Sequence, residues 1–236
     1  MSESRFEYIE KGKKTLKFKL AKGFSKMLYH RAKFRYLGQE FNDGPFLFIV
    51  NHCASHTPTR IENYFPRDFY MWGTHEMTEG LKAVRHYLVH TYYHQKLNVP
   101  MFFAQIIGTL FCPFANGFYR GMRLIPTYRD NRFLITIKNS IEAIKQGKPI
   151  VIYPEDSSKG YKDYIEKFFN GYLTLCHILY KNKIDLPIYV AHFHKKHKEF
   201  IIDEPILYSE LMKKFNNDVD KASDSLRMRM NELRNL

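Results

Sequence analysis

A short apolar run at residues 46–50 ends in Asn51-His52. A neutral imidazole titrates near physiological pH and can take a proton from a substrate hydroxyl. It does so best when a carboxylate holds its second ring nitrogen. The residues that follow, 53–60, read CASHTPTR and contain no acid. His52 is therefore a base with a partner from elsewhere in the chain, or a base that has lost its partner. Cys53 beside it suggests a thiol nucleophile, but adjacent residues on an extended segment point to opposite sides, which makes their pairing poor. His86, His90 and His94 recur at every fourth position. On a helix a pair of them could ligate zinc, yet no Cys or acid lies close to complete the set. A tyrosine-rich helix face accounts for them, and no metal is expected.

The elements that must position His52 are legible as periodicities. Residues 46–50 (FLFIV), 68–72, 123–128, 149–154, 186–193 and 198–204 read as strands. Between the third and fourth of these, Phe133, Ile137, Ile141 and Ile144 share a helical face, with Asp130 or Asn131 as its cap and Gly147 as its stop. Residues 164–180 and the tail 209–236 also read as helices. Strand–helix alternation along one uninterrupted chain predicts a single α/β domain with a mixed central sheet flanked by helices.

Composition narrows the partners. The 236 residues carry a formal charge of +13, and residues 1–37 hold eleven Lys/Arg against Glu3, Glu7 and Glu10. That segment alone supplies +8. Nucleic acid, anionic lipid or an acidic carrier protein would each answer such a charge. No zinc finger, RNP-like strand or clamping glycine loop accompanies it, so nucleic acid is not the expected partner. Leu16, Leu20, Phe24, Met27 and Leu28 recur at helical spacing among the lysines. This predicts a basic amphipathic helix, which either lies on an anionic membrane or packs on the core. Residues 1–37 are taken as that basic segment and 38–236 as the main domain. Three scattered cysteines and the absence of an apolar N-terminal run fit a reducing, cytoplasmic setting.

Residues 97–119 contain no charge over 23 positions. Pro100, Gly108, Pro113 and Gly117 interrupt them, which predicts unbroken helix over at most about twelve residues. The segment is either a pair of core helices or a hydrophobic wall for an acyl chain that dips into one leaflet.

Four stretches in order carry a resemblance. These are Asn51-His52, the Pro126-x-x-Arg129 that closes LIPTYR, Tyr153-Pro154-Glu155, and Leu186-Pro187-Ile188. Together they resemble the four blocks of the glycerolipid acyltransferases, the lysophosphatidic acid and glycerol-phosphate acyltransferases, over roughly residues 46–193. The resemblance implies an acyltransferase-type fold and transfer of a fatty acyl group from acyl-CoA or an acyl carrier protein thioester to a glycerol-phosphate or lysophosphatidate hydroxyl. It implies no bound cofactor, and a peripheral place on an anionic membrane on its cytoplasmic side. His52 would be the base. Arg129 would hold the acceptor phosphate, since a guanidinium offers a planar two-pronged donor. Glu155 would orient the acceptor, with Ser157, Ser158 and Lys159 supplying hydroxyls, backbone N–H groups and charge at a turn opening toward a helix.

The chain departs from the family pattern where the first block should carry an aspartate: that position is Thr57. Asp156 replaces a glycine of the third block, and the arginine there is displaced to Lys159 or absent. Thr57, Glu62 and Glu76 are the candidates for orienting His52. The alternative that the departure leaves open is a lipid-binding or scaffold protein that keeps the fold without turnover.

Overall fold

Every side chain of the strand Leu47–Val50 is buried, which is the expected fate of an apolar run with a neighbour on each side. A computed structural model of the chain describes residues 5–236. The part of the basic segment at residues 1–4, and the side chains of residues 5–8, lie outside that description. In chain order the elements begin with α1 (Arg5–Lys13), α2 (Leu16–Leu28), β1 (Lys33–Tyr36), β2 (Leu47–Val50), α3 (His56–Tyr64) and β3 (Tyr70–Thr74). They continue with α4 (Leu81–His86), α5 (Met101–Gly121), β4 (Leu124–Thr127), α6 (Phe133–Lys145) and β5 (Ile150–Ile152). The remainder is α7 (Gly171–Lys181), β6 (Pro187–His194), β7 (Glu199–Ile202), β8 (Ile206–Leu207), α8 (Tyr208–Lys214) and α9 (Val219–Leu233). The described residues divide into two units. The first holds the chain up to His30, Tyr70–Thr136 and Ser157–Tyr161; the second holds Arg31–Phe69, Ile137–Asp156 and Lys162–Leu236.

The second unit is built on a mixed sheet in the order β1-β7-β6-β2-β5, with β8 also on β6. β2 runs parallel to both β5 and β6, while β6 and β7 are antiparallel. The fold is therefore mixed α/β with helices flanking a mixed sheet, as the alternation predicts. β1 was not legible in sequence: KFRY is an edge strand of alternating exposure, and charged residues suit an edge. Residues 164–170, expected to be helical, are not. Asn231 on α9 accepts a hydrogen bond from Ile165 N and donates to Ile165 O, both 2.9 Å, and thereby takes up both backbone polar groups of that residue. Helix α7 starts only at Gly171. The tail is two helices, because Asn216 and Asn217 adopt left-handed backbone (φ 51° and 62°) and end α8 before Asp218 caps α9.

On β6, His192 is only 4% exposed. Burial first, then the nearby His194 and Arg234 charges, push its imidazole down to about 4. The fold thus keeps His192 neutral, whereas the unfolded chain protonates it below about pH 6.5. Its contribution is fully present above pH 6.5 and is lost as the pH falls toward 4, a change of about 3 kcal/mol. Denaturant titrations at pH 7, 5.5 and 4 should show that decline, and His192→Gln should flatten it.

The first unit pairs β3 and β4 in parallel and packs α2 against α5. Thr15 caps α2, its hydroxyl accepting from Phe18 N. Phe18, Ala21 and Ser25 are the buried face, and the Phe18 ring lies 5.9 Å from that of Phe118. Leu16, Leu20, Phe24, Met27 and Leu28, the stripe singled out in sequence, are all exposed. Helix α2 thus packs on α5 through its other face, and of the stripe Phe24 meets the Phe114 ring of α5 at 5.5 Å.

Helix α5 corrects the expectation of two short pieces, since it runs unbroken for 21 residues through Pro113. Proline removes one N–H and orphans the carbonyl four residues earlier, here Thr109. Thr109 and Pro113 both lie on the exposed side, where the lost bond is least costly. The inward side is made of small residues, including Ala104, Gly108, Cys112, Ala115 and Gly121. They permit close approach: a Cβ at Gly121 would come within 2.0 Å of the Phe18 ring. The outward side carries Phe102, Phe103, Ile106, Ile107, Leu110 and Phe111, all exposed. By length and composition α5 is able to cross a membrane.

Candidate active site

Parallel pairing of β2 with β5 sets Leu47 opposite Ile150 and Ile49 opposite Ile152, so the two strands end at the same edge. His52 leaves one end and Tyr153 the other. Their rings pack with centroids 4.7 Å apart and planes at 60°. The first and third sequence blocks, a hundred residues apart, meet there. Asn51 fixes the position of its neighbour in a way that sequence reading missed. Its side chain accepts from Phe193 N at 2.6 Å and donates to Phe193 O at 3.3 Å, tying the end of β2 to β6. Only the register of β6 on β2, Val50 opposite Ala191, makes that role visible.

Beyond His52 the chain turns sharply. Cys53 and Ala54 both take left-handed backbone, φ 40° and 53°, a conformation that costs non-glycine residues about 1–3 kcal/mol each. Such strain clusters where a function fixes the backbone. The turn feeds α3, whose buried positions include Thr57, Arg60 and Glu62. Arg60 Nη1 lies 3.1 Å from His56 Nδ1 and donates to His56 O at 3.2 Å. Burial, then Lys195 and Arg60, lower the His56 imidazole below its ordinary value.

The candidates for orienting His52 now separate. Thr57 is completely buried, yet its Oγ1 makes no hydrogen bond. The expectation that it could accept the ring N–H is not met. Glu76 belongs to the first unit, where Thr74 Oγ1 donates to its carboxylate and His75 Nδ1 lies 3.3 Å from it. Glu62 belongs to the same unit as His52 and is 6% exposed. Its charge, together with that of Glu155, acts on the Tyr153 phenol. Burial foremost, then Glu62 and Glu155, raise that phenol well above its ordinary value. The histidine ring and the phenol meet at this edge of the second unit, and the phenol feels the charge of both carboxylates.

Glu155 sits on the segment that follows β5, held by a bridge to Phe168 and by backbone bonds from Asp156 N to Lys167 O (3.0 Å) and Phe169 N to Pro154 O (2.8 Å). Ser157, Ser158 and Lys159 belong to the first unit. They form a turn closed by Gly160 N donating to Ser157 O at 3.1 Å, and Gln95 Nε2 donates to Ser158 O at 3.0 Å. That turn does not open into a helix, because the next helix is α7, so the expected anion site at a helix start is absent there. Arg129 lies exposed in the bend after β4, also in the first unit. Its neighbour Asp130 pairs with Arg132 at 2.7 Å. The Arg132 hydrogen bonds to that carboxylate pull Asp130 down to about 2.

His86 and His90 pack at 4.6 Å between ring centroids, but His94 turns away, its Nδ1 2.9 Å from Val99 O. Residues 87–96 wind as a π-helix, which alters the spacing that the histidine pattern assumes. No metal-holding group occurs among the described residues.

No family model matches the chain, and no curated protein does. Among solved structures the chain is similar to the crystal structure of the 1-acyl-sn-glycerophosphate (LPA) acyltransferase PlsC from Thermotoga maritima. The identity is 14%, the match covers 89% of this chain and 79% of that one, and the TM-score is 0.48.

Proposed function

We propose that the protein is a glycerolipid acyltransferase that moves a fatty acyl group from an acyl thioester to the hydroxyl of a glycerol-phosphate or lysophosphatidate acceptor. The observation that carries this reading is the packing of Tyr153 on His52, which joins the first and third of the resembling blocks. His52 takes the hydroxyl proton as the oxygen attacks the thioester carbonyl. The tetrahedral intermediate collapses with loss of the thiolate, which recovers the proton from His52, so no covalent acyl-enzyme forms. Glu62 replaces the missing aspartate and acts through the Tyr153 contact to hold the ring. The test is release of thiol with formation of an acylated acceptor, absent from the His52→Ala protein.

Arg129 holds the acceptor's phosphate in this reading, by its place at the end of the second block. Arg129→Ala should raise the acceptor KM by about 10- to 100-fold and leave the donor KM nearly unchanged. Steady-state kinetics with phosphorylated and unphosphorylated acceptors check this. Equal losses on both would remove the phosphate role.

The site works at a membrane, on its cytoplasmic face. Support comes from the exposed apolar faces of α2 and α5, flanked by Lys17, Lys19, Lys22 and Lys26. Each basic residue near an anionic surface contributes about 1 kcal/mol, and salt screens this over about 10 Å at 0.1 M. Apolar insertion resists salt. Sedimentation with anionic vesicles should therefore fall with salt to a plateau, and Leu20→Ser with Phe24→Ser should lower that plateau.

The second reading, a lipid-binding protein without turnover, is favoured by one observation: the residue in the family's acid position is a buried threonine whose hydroxyl makes no hydrogen bond. Lipid binding without thiol release would establish it.

A further inference from the structure

The edge of the second unit's sheet at which His52 emerges also carries a group of exposed basic residues. β6 runs parallel to β2 and ends at His194, so the turn from β6 to β7 lies at the same edge. That turn is Lys195, Lys196, His197 and Lys198, all exposed. β1 is parallel to β7 and starts at this edge too, with Lys33 N donating to Lys198 O at 3.0 Å. Arg31 and Lys33 are thereby added beside the turn. The acid that follows, Glu199, is already paired with Arg35 at 3.5 Å. The basic turn reaches the reacting histidine through two physical links. Asn51 clamps the peptide of Phe193, two residues before Lys195. The Lys195 charge is also felt by Cys53, on the loop after His52 and alongside Asp163 and Glu155, and by His56 at the start of α3.

We propose that Lys195, Lys196 and Lys198 bind the phosphates of the coenzyme A donor, so that the pantetheine arm can carry the thioester to His52. This rests on the acyl-transfer reading and names the donor that reading leaves open. Coenzyme A concentrates a diphosphate and a ribose 3'-phosphate in a small volume, which suits lysines gathered on one four-residue turn. An anionic membrane fits less well, because a membrane-binding face joins basic residues to exposed apolar ones. Among the described residues no large apolar side chain is exposed in 31–35 or 194–199, whereas α2 and α5 carry many. An acidic carrier protein would need an interface of about 800 Å² per partner with an apolar centre, and the turn offers no such centre.

The test compares the full chain with the Lys195→Gln/Lys196→Gln/Lys198→Gln protein by calorimetric titration with coenzyme A and with adenosine 3',5'-bisphosphate. Vesicle sedimentation and binding of an acyl carrier protein are measured alongside. Both nucleotides should bind the native chain, and the triple variant should weaken each by about 10-fold or more while vesicle binding stays unchanged. Unchanged coenzyme A affinity in the variant overturns the proposal, as does a native chain that binds neither nucleotide. Loss of vesicle or carrier-protein binding with coenzyme A binding intact also overturns it and assigns the turn to that partner. Lysine-dependent coenzyme A binding in a protein that transfers no acyl group would instead sink the acyltransferase reading and leave this site standing.

Discussion

Replacing His52 by alanine is expected to lower the rate of acyl transfer between about 100-fold and 10,000-fold, the range that a positioned general base contributes. The loss should appear in kcat, with both substrates still bound, because the ring acts on a proton that moves only in the transition state. The fold should tolerate the change. His52 lies two residues beyond β2, and the strand's anchorage comes from Asn51 on Phe193 and from pairing with β5 and β6. A His52→Ala protein with full activity would place the chemistry elsewhere.

The second large effect is expected at Glu62. A carboxylate that steadies the imidazolium stabilises the charge that develops during proton transfer, and in related triads its loss costs about four orders of magnitude. In the proposed reading the carboxylate would act through Tyr153, and Glu62→Gln should then cost about 100-fold or more in kcat. A merely structural role would lower the amount of folded protein and leave the pH profile in place. A positioning role should also move the acid limb of the kcat/KM profile to lower pH, because the protonated ring loses a favourable neighbour. Tyr153→Phe keeps the ring packing and removes the phenol. If Glu62 acts through that phenol, the two substitutions should not add. Full additivity, or an unmoved pH profile in Glu62→Gln, would return the choice to Glu76 or to a backbone carbonyl.

How far the sequence carries depends on the kind of information each feature needs. The runs that became β2, β5, β6 and β7 are apolar and buried, so composition suffices to find them. β1 is a charged edge strand whose pairing with β7 leaves no apolar trace. Helix α5 runs on through Pro113 because Pro113 and Thr109 face outward, which the sequence does not show. The exposure of the α2 stripe is likewise a tertiary fact, since a surface helix and a membrane helix share one periodicity. At the site, His52 and Glu155 were legible as blocks, but the contact of His52 with Tyr153 depends on strand register. Glu62 and Glu76 looked equivalent in sequence. Burial tells them apart: Glu62 is buried in the unit that holds His52, while Glu76 is only half-buried.

Acyl transfer at His52 is measured by incubating the full chain, reconstituted with anionic vesicles, with acyl-CoA and lysophosphatidate or glycerol phosphate. Free thiol and acylated product are then quantified beside the His52→Ala protein. One thiol should be released per ester formed, with both signals lost in the variant. Vesicle and lysolipid binding with no thiol release above the His52→Ala level, over a range of acyl lengths and with an acyl carrier protein thioester as well, would contradict it.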